Sequence, residues 1–273
     1  MQFLPVPSLD SNHRRKSLRR LVQSVLSISS GALVAVEGAA QPLTIDQLIV
    51  DDQRWQFVAS GSFAAQAEAI GLRRESWQMN TDLRFGFSPR LGLRLGARGA
   101  GGRLIAGGAE NDESVSNMTF GASWQLISES ALPALIVEYD RSLPIDAKAS
   151  ERASQQVAVT AYKTLDPIVL STTISVIDAQ LRSDEATASQ DLWAVSIDTT
   201  ANFAVNPWVT LIAGLRLTET RYESVQPTLD GDRSVSFRGG LATALGPRDS
   251  LFIEGGSGSR GDVSLRMSWL RNF

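Results

Sequence analysis

The chain of 273 residues has no cysteine and a single histidine, His13. The first absence excludes a disulfide framework, cysteine-ligated zinc and the lipidated cysteine of a lipoprotein. Together the two shortages leave the body of the chain without the parts of a Ser-His or Cys-His nucleophile pair. No metal-ligating or cofactor-binding constellation stands out, and no catalytic set is expected. Lysine is nearly missing as well (Lys16, Lys148, Lys163), so arginine carries the positive charge. No basic patch is interleaved with aromatics, which speaks against nucleic acid as a partner. Hydrophobic content is 43%, yet no run of eighteen apolar residues exists to form a transmembrane helix. The length suits one large β domain or two ordinary ones.

Residues 1–40 read as an export signal. Arg14, Arg15, Lys16, Arg19 and Arg20 precede the mostly apolar "LVQSVLSISSGALVAV", and "EGAA" follows with small residues at Gly38 and Ala40. The alternative is a short hydrophobic helix of the mature fold. Cleavage after Ala40 removes five of the 26 basic and two of the 29 acidic residues. That leaves 21 against 27, a net charge of −6.

From Trp55 onward the dominant period is two. "WQMNTDLRFGF" sets Trp77, Met79, Leu83, Phe85 and Phe87 against Gln78, Asn80, Asp82 and Arg84. "LGLRLGAR" repeats the pattern, with Leu91, Leu93 and Leu95 against Arg94 and Arg98. "WAVSIDTTANFAV" gives Trp193, Val195, Ile197, Phe203 and Val205 against Ser196, Asp198, Thr200 and Asn202. Short proline-bearing turns recur at Pro89, Pro133, Pro167, Pro207 and Pro247, at separations of 44, 34, 40 and 40 residues. Each interval holds two strands and a longer polar connection, expected near 65–73, 100–113, 142–153, 181–190, 222–232 and 257–261. "GSGSRG", Gly256 to Gly261, satisfies a dinucleotide-binding pattern but precedes a strand rather than a helix, so it reads as a loop. The count is twelve strands in an up-and-down meander with both ends on the short-turn side.

A meander this long must close or aggregate through its edges. One face is almost purely apolar. The other carries Asp82, Arg84, Arg94, Arg98, Asp198, Arg216, Arg238, Glu254 and Arg266. That pattern fits an inside-out barrel, apolar toward lipid and polar toward a wet lumen. All six tryptophans fall near expected strand ends. Trp55, Trp124, Trp208 and Trp269 lie by the short turns with Phe87, Phe203 and Phe273; Trp77 and Trp193 lie by the long loops with Tyr139 and Tyr222. Such rings favour a membrane interface. The closing strand, "DVSLRMSWLRNF", must pair with the first near Trp55 to Ala64 to leave no open edge in lipid. Its alternation and final aromatic resemble the C-terminal assembly signature of bacterial outer-membrane barrels, read through Trp269 and Phe273, with Arg271 where that pattern has an apolar residue.

The Pro89 turn places Arg84 opposite Arg94, which requires neutralising acids from Asp82 or elsewhere. The Pro207 turn places Asp198 opposite Arg216. These charges form either a solvated ladder stiffening the wall or a basic constriction favouring anionic solutes. No close acidic pair stands out on the lumen face. Before the first strand, Thr44 and Gln47 have capping-box spacing and Leu43 with Leu48 can form a hydrophobic staple. A short helix carrying Ile45, Leu48 and Ile49, with Asp46, Asp51 and Asp52, is expected either to plug the turn-side mouth or to hang as a periplasmic arm.

The stretch "AYKTLDPIVLSTTISV", Ala161 to Val176, resembles a turn in outer-membrane transporters grouped with the meta-pathway phenol-degradation family and, more distantly, with the secretion barrels of functional amyloids. The resemblance implies a twelve-stranded barrel passing small hydrophobic molecules or an unfolded exported subunit, with no catalytic residues. The expected organisation is a leader (1–40), a periplasmic or plug segment (41–53) and a closed all-β barrel (54–273) in the bacterial outer membrane. The expected function is a channel for small solutes; secretion of a partner protein and a structural or adhesive role are the alternatives. Expected partners are outer-membrane lipid and lipopolysaccharide, the barrel-assembly machinery, and a small solute or exported protein.

The leader is tested by sequencing the protein recovered from outer membranes. It should begin at Gln41 and shift in gel mobility between unheated and boiled samples. Recovery from the soluble periplasm with no shift overturns this reading.

Overall fold

Alternation over more than two hundred residues produces one continuous antiparallel sheet. The computed structural model describes residues 50, 52–69, 72–106, 109–145, 152–183, 186–223, 232–259 and 261–273. The leader expected over 1–40 and most of the segment 41–53, including the expected helix, lie outside the described residues. Twelve strands follow in order: β1 (Trp55–Ala69), β2 (Leu72–Ser88), β3 (Leu91–Ala106), β4 (Ala109–Ile127), β5 (Ala134–Pro144) and β6 (Arg152–Leu165). Then come β7 (Ile168–Ser183), β8 (Ala186–Asn206), β9 (Val209–Glu223), β10 (Asp232–Ala244), β11 (Asp249–Gly258) and β12 (Val263–Asn272).

The barrel is closed, each strand pairing with its sequence neighbours and β1 with β12. That last seam runs in register from Gln56↔Asn272 to Ala65↔Val263. It ends where the Phe273 N–H donates to the Trp55 carbonyl at 2.9 Å. All five proline turns fall between strands on one side of the barrel.

The other side differs from expectation. The polar stretches near 65–73, 100–113 and 181–190 are not loops but strand ends, with pairing carried to Ala69↔Leu72, Ala106↔Ala109 and Ser183↔Ala186. The reason lies in solvent. Beyond the bilayer both faces of a strand meet water, so the apolar–polar alternation fades while the hydrogen-bonded ladder continues.

The large apolar side chains point outward and are exposed, among them Met79, Leu83, Leu95, Phe120, Ile174, Ile197, Leu215 and Met267. Aromatic residues bound this band. On β2, Trp77 and Phe87 lie ten residues apart, and on β8 so do Trp193 and Phe203, all exposed. Ten residues of strand rise about 33 Å, or about 25 Å along the axis at a tilt near 40°, which is the height of a membrane barrel's apolar band. Trp77 lies flat on the wall because its partner across the ladder is Gly101; a Cβ there would sit 2.6 Å from the indole. Above the band, on the outer face of β9 and β10, Glu219 accepts from Arg221 at 2.7 Å and from Arg233 at 3.2 Å. Tyr139 stands in mid-strand on β5 rather than at a strand end, and the Tyr222 side chain is outside the described set.

At the turn side, Arg271 occupies its unusual position by contacts of its own. Its guanidinium lies 5.7 Å from the Phe273 ring and 3.9 Å from Asp249, whose carboxylate also accepts from the Trp269 indole at 3.1 Å. The "YKTLDP" turn clasps the β4–β5 connection. Glu129 accepts from the Thr164 N–H at 2.7 Å and from its hydroxyl at 2.9 Å, which holds the Glu129 carboxyl below the usual carboxylate range.

Face assignment is testable by charge. Arginine at Leu83 or Ile197 places a guanidinium in lipid and should cost about 2–4 kcal/mol at mid-bilayer. Inward Ser196 and Thr200 are poor controls because both are tightly packed. Ser76→Arg, on the half-buried inner face, should cost far less in urea-refolding assays in vesicles. Equal losses at both faces overturn the inside-out arrangement.

Candidate functional site

The inner face follows from parity: on each strand the residues alternating with the lipid-facing ones point to the axis. The nine charged residues expected there fall into two groups. On β2 and β3, Arg84 and Arg94 face one another across the ladder as the turn predicts. Asp82 lies 4.0 Å from Arg84, and Asp140, from β5, pairs with Arg94. Glu138, two residues before Asp140 on the same inner face, shares a small space with Arg84 and Arg94. Arg98 donates to Asn80 at 3.1 Å, and Asn80 donates on to Ser60 at 3.3 Å. Among the described residues, Arg84, Arg94 and Arg98 thus share this part of the inner face with Asp82, Glu138 and Asp140.

The second group spans β8 to β12. Asp198 accepts from Arg216 at 2.8 Å and from Arg238 at 2.5 Å, and Arg238 also donates to Thr200 at 2.6 Å. Glu254 lies 3.9 Å from Arg238 and stands directly opposite Arg266 in register. Charges of both signs therefore cross five strands in a belt, with Arg216 and Arg238 on adjacent strands sharing Asp198. Between the groups, β6 to β8 close the inner wall with hydroxyl pairs, Thr160 with Thr173 at 2.9 Å and Ser175 with Ser196 at 2.7 Å.

Small residues let these long side chains lie against the wall. A Cβ at Gly214 would be 2.6 Å from the Arg238 Nε, and one at Gly240 would be 2.8 Å from the Glu254 side chain. Gly121 makes the same room beneath Asp140 and Arg94, and Gly96 beneath Asp82. Parity counting missed Glu138 and Asp140, although "ALIVEYDRS" carries both on the inward positions. The glycines gave no sequence signal, because what selects them is a side chain on the neighbouring strand.

The lumen is narrow at mid-height. Arg266 from β12 lines the same space as Ser154 and Gln156 from β6, six strands away around the barrel, and that space is about 40 Å³. Nor is the inner face polar throughout. On the turn side Val58, Ile212, Ala242, Phe252 and Leu270 form one inward apolar cluster, with Phe252 only 2% exposed, which no side chain lining an open pore would be. Val50 is buried too, sharing a space of about 20 Å³ with Arg84, Arg94, Glu138 and Asp140. The chain reaches it through a reversal at Gln53 (φ 58°), pinned where the Gln53 N–H donates to the Gly86 carbonyl at 2.8 Å. Among the described residues no cluster of three or more metal-ligating side chains occurs.

No family model and no curated protein matches the sequence. Solved structures do match. An outer membrane channel from Pseudomonas putida F1 superposes with a TM-score of 0.68 at 16% identity, over 85% of this chain and 100% of that one. The translocator domain of the autotransporter NalP from Neisseria meningitidis gives 0.61 at 8% identity, over 92% and 98%. The β domain of the Bordetella autotransporter BrkA gives 0.59 at 11%, over 81% and 100%. At these identities the shared property is the fold, a twelve-stranded barrel like those of bacterial outer-membrane channels and translocators.

Asp198 holds two arginines whose side chains are 15% exposed or less, so its loss leaves both without their main counter-charge. Asp198→Ala should destabilise the barrel by about 3–5 kcal/mol. Adding Arg216→Met and Arg238→Met to it should restore most of that loss. Heat-modifiability midpoints of the single and triple variants check this.

Proposed function

We propose that the protein is a narrow, gated channel for small solutes in the bacterial outer membrane, without catalytic activity. The observation that carries this reading is the ion belt around a lumen narrow enough at mid-height that Arg266 lines one space with Ser154 and Gln156 of the opposite wall. Charges in such a confined section act strongly because little solvent screens them. The lipid-facing band supports the location. The barrel likeness extends to a protein described as an outer membrane channel. Acids that serve as general acid or base elsewhere are here committed to arginines. An exported polypeptide needs a far wider path, so secretion has less support.

The gate in this proposal is the N-terminal segment. Val50 stands inside the lumen, and the inward cluster of Val58, Phe252 and Leu270 offers an apolar seat for Leu43, Ile45 and Leu48. Trp269 and Phe273 serve as the signal for the barrel-assembly machinery. The exposed Arg221 and Arg233, just above the apolar band, face the phosphates of lipopolysaccharide.

Planar-bilayer recordings test the gate. The protein should conduct weakly, and deleting Leu43–Asp52 should raise conductance several-fold with the heat-shift of a folded barrel retained. A barrel that stays silent both intact and deleted overturns the channel.

A further inference from the structure

The lipid-facing wall is not uniform. β6 and β7 are adjacent strands whose one aromatic residue, Tyr162, is buried, so no ring of their own bounds the apolar band there. Their outward residues through mid-band are small or branched: Val157, Val159, Ala161, Thr172, Ile174 and Val176. Above these, charge enters the band. Gln155 on β6 stands opposite Asp178 on β7 and donates to its carboxylate at 2.9 Å. On its other side Gln155 stands opposite Arg141 on β5. Arg141 is exposed and outward by parity, between the exposed Tyr139 and Leu143, and makes no hydrogen bond or ion pair among the described residues.

The height of this row follows from register. It runs from Trp193, at the upper edge of the band, through Asp178, Gln155 and Arg141 to Phe120, Leu95 and Leu83 at mid-band. The row therefore descends, and Arg141 is the lowest of its three polar members. Two strand spacings at a tilt near 40° set Arg141 about 6 Å below Asp178. A guanidinium facing acyl chains is unfavourable unless it climbs to the interface or meets a counter-charge. A second copy of the barrel supplies both conditions at once. A half-turn about the membrane normal through Gln155 brings Arg141 of one copy in front of Asp178 of the partner subunit, and the reverse contact forms with it. The arginine reaches that carboxylate by extending upward, which is also its direction toward the interface. Small and branched side chains below the row let the two walls approach closely. Other occupants fit less well. A lipid phosphate would answer Arg141 but meet the Asp178 carboxylate in the same row, and a soluble protein has no access to the band. We propose that the β5–β7 wall is a twofold interface between two copies of this barrel in the bilayer, closed by Arg141 of each pairing with Asp178 of the partner subunit. It requires the inside-out faces of the barrel and is independent of the channel reading.

The chain has no cysteine, so single introduced cysteines report contact cleanly. Sheets packed face to face stand about 10 Å apart, beyond the reach of a disulfide, so a short bismaleimide is applied to outer membranes carrying the full-length protein. Val157→Cys, on β6 beside the polar row, should give a cross-linked dimer. Leu265→Cys, on β12 at the opposite wall, should not. In the Val157→Cys background, Arg141→Asp and Asp178→Arg should each lower the dimer yield about tenfold or more, because like charges then face one another. Co-expressed, these two variants should recover most of the yield, since a mixed pair carries opposite charges at both contacts. The heat-shift shows which variants are folded. Equal cross-linking through β6 and β12 overturns the interface, as does undiminished dimer in both reversed variants or no recovery on mixing two folded ones. Cross-linking of Val157→Cys only to a different protein overturns the second copy in favour of a heterologous partner. Monomer alone from Val157→Cys also overturns it; lipid A phosphate that co-purifies with the protein and is lost with Arg141→Ser would then assign the face to lipid.

Discussion

A strand in hydrocarbon has no water to satisfy its backbone, so every N–H and C=O within the band must find a partner in the protein. The seam between β1 and β12 meets that demand for this chain. It joins the two ends of the described sheet, residues about two hundred positions apart, and it runs unbroken from Gln56↔Asn272 to Ala65↔Val263. Without it both edge strands would present open ladders to lipid. The remaining pairings are hairpins between sequence neighbours, five of them joined by the proline turns. The cost of closing the longest loop in the chain therefore falls on a single register, and the side chains there agree with it: Phe57 packs edge-on against Trp269 at 5.9 Å, and Gln56 donates to Asn272 at 3.0 Å.

Closure fixes the two faces, and the faces explain most of what the sequence shows. The twelve-strand count, the side on which the turns lie, the Arg84–Arg94 and Asp198–Arg216 pairings and the outward aromatic band all follow from a period of two punctuated by proline. Three things do not. Pairing beyond the bilayer, as at Ser183↔Ala186, is illegible because the alternation that marks a strand is a record of asymmetric solvent, and outside the membrane the solvent is symmetric. Glu138 and Asp140 are legible by parity alone, since "ALIVEYDRS" sets both on inward positions, but no turn places them opposite the arginines of β2 and β3, from which β5 is separated by β4. The inward cluster of Val58, Ile212, Ala242, Phe252 and Leu270 is spread over five strands as single apolar residues among polar ones, and no local pattern announces it.

The charge network resolves a conflict between wall and pore. Long ionic side chains projecting to the axis would fill a twelve-stranded lumen. Glycine beneath them, at Gly96, Gly121, Gly214 and Gly240, lets each lie against the sheet and reach its partner on the next strand. Glycine weakens a strand interior, since it gives up backbone freedom and packs nothing. The ionic hydrogen bonds that it makes room for offset part of that cost, which is why the two kinds of residue occur in register with one another.

The same arrangement separates two tasks along the axis. At mid-height and below, Asp82, Asp140 and Asp198 each lie within 4.0 Å of an arginine, so the field of these pairs is short-ranged and their role is to hold the wall. Toward the loop side hydroxyls line the wall between the charged groups, among them those of Ser62, Thr218, Ser236 and Ser264. An incoming solute would therefore meet this wider, hydroxyl-lined space first, where water still competes and binding stays reversible. It would meet the compensated belt second, where passage requires the ion pairs to rearrange around it. Passage through such a constriction favours solutes able to substitute for the belt's own hydrogen bonds, and it disfavours those that can only displace water.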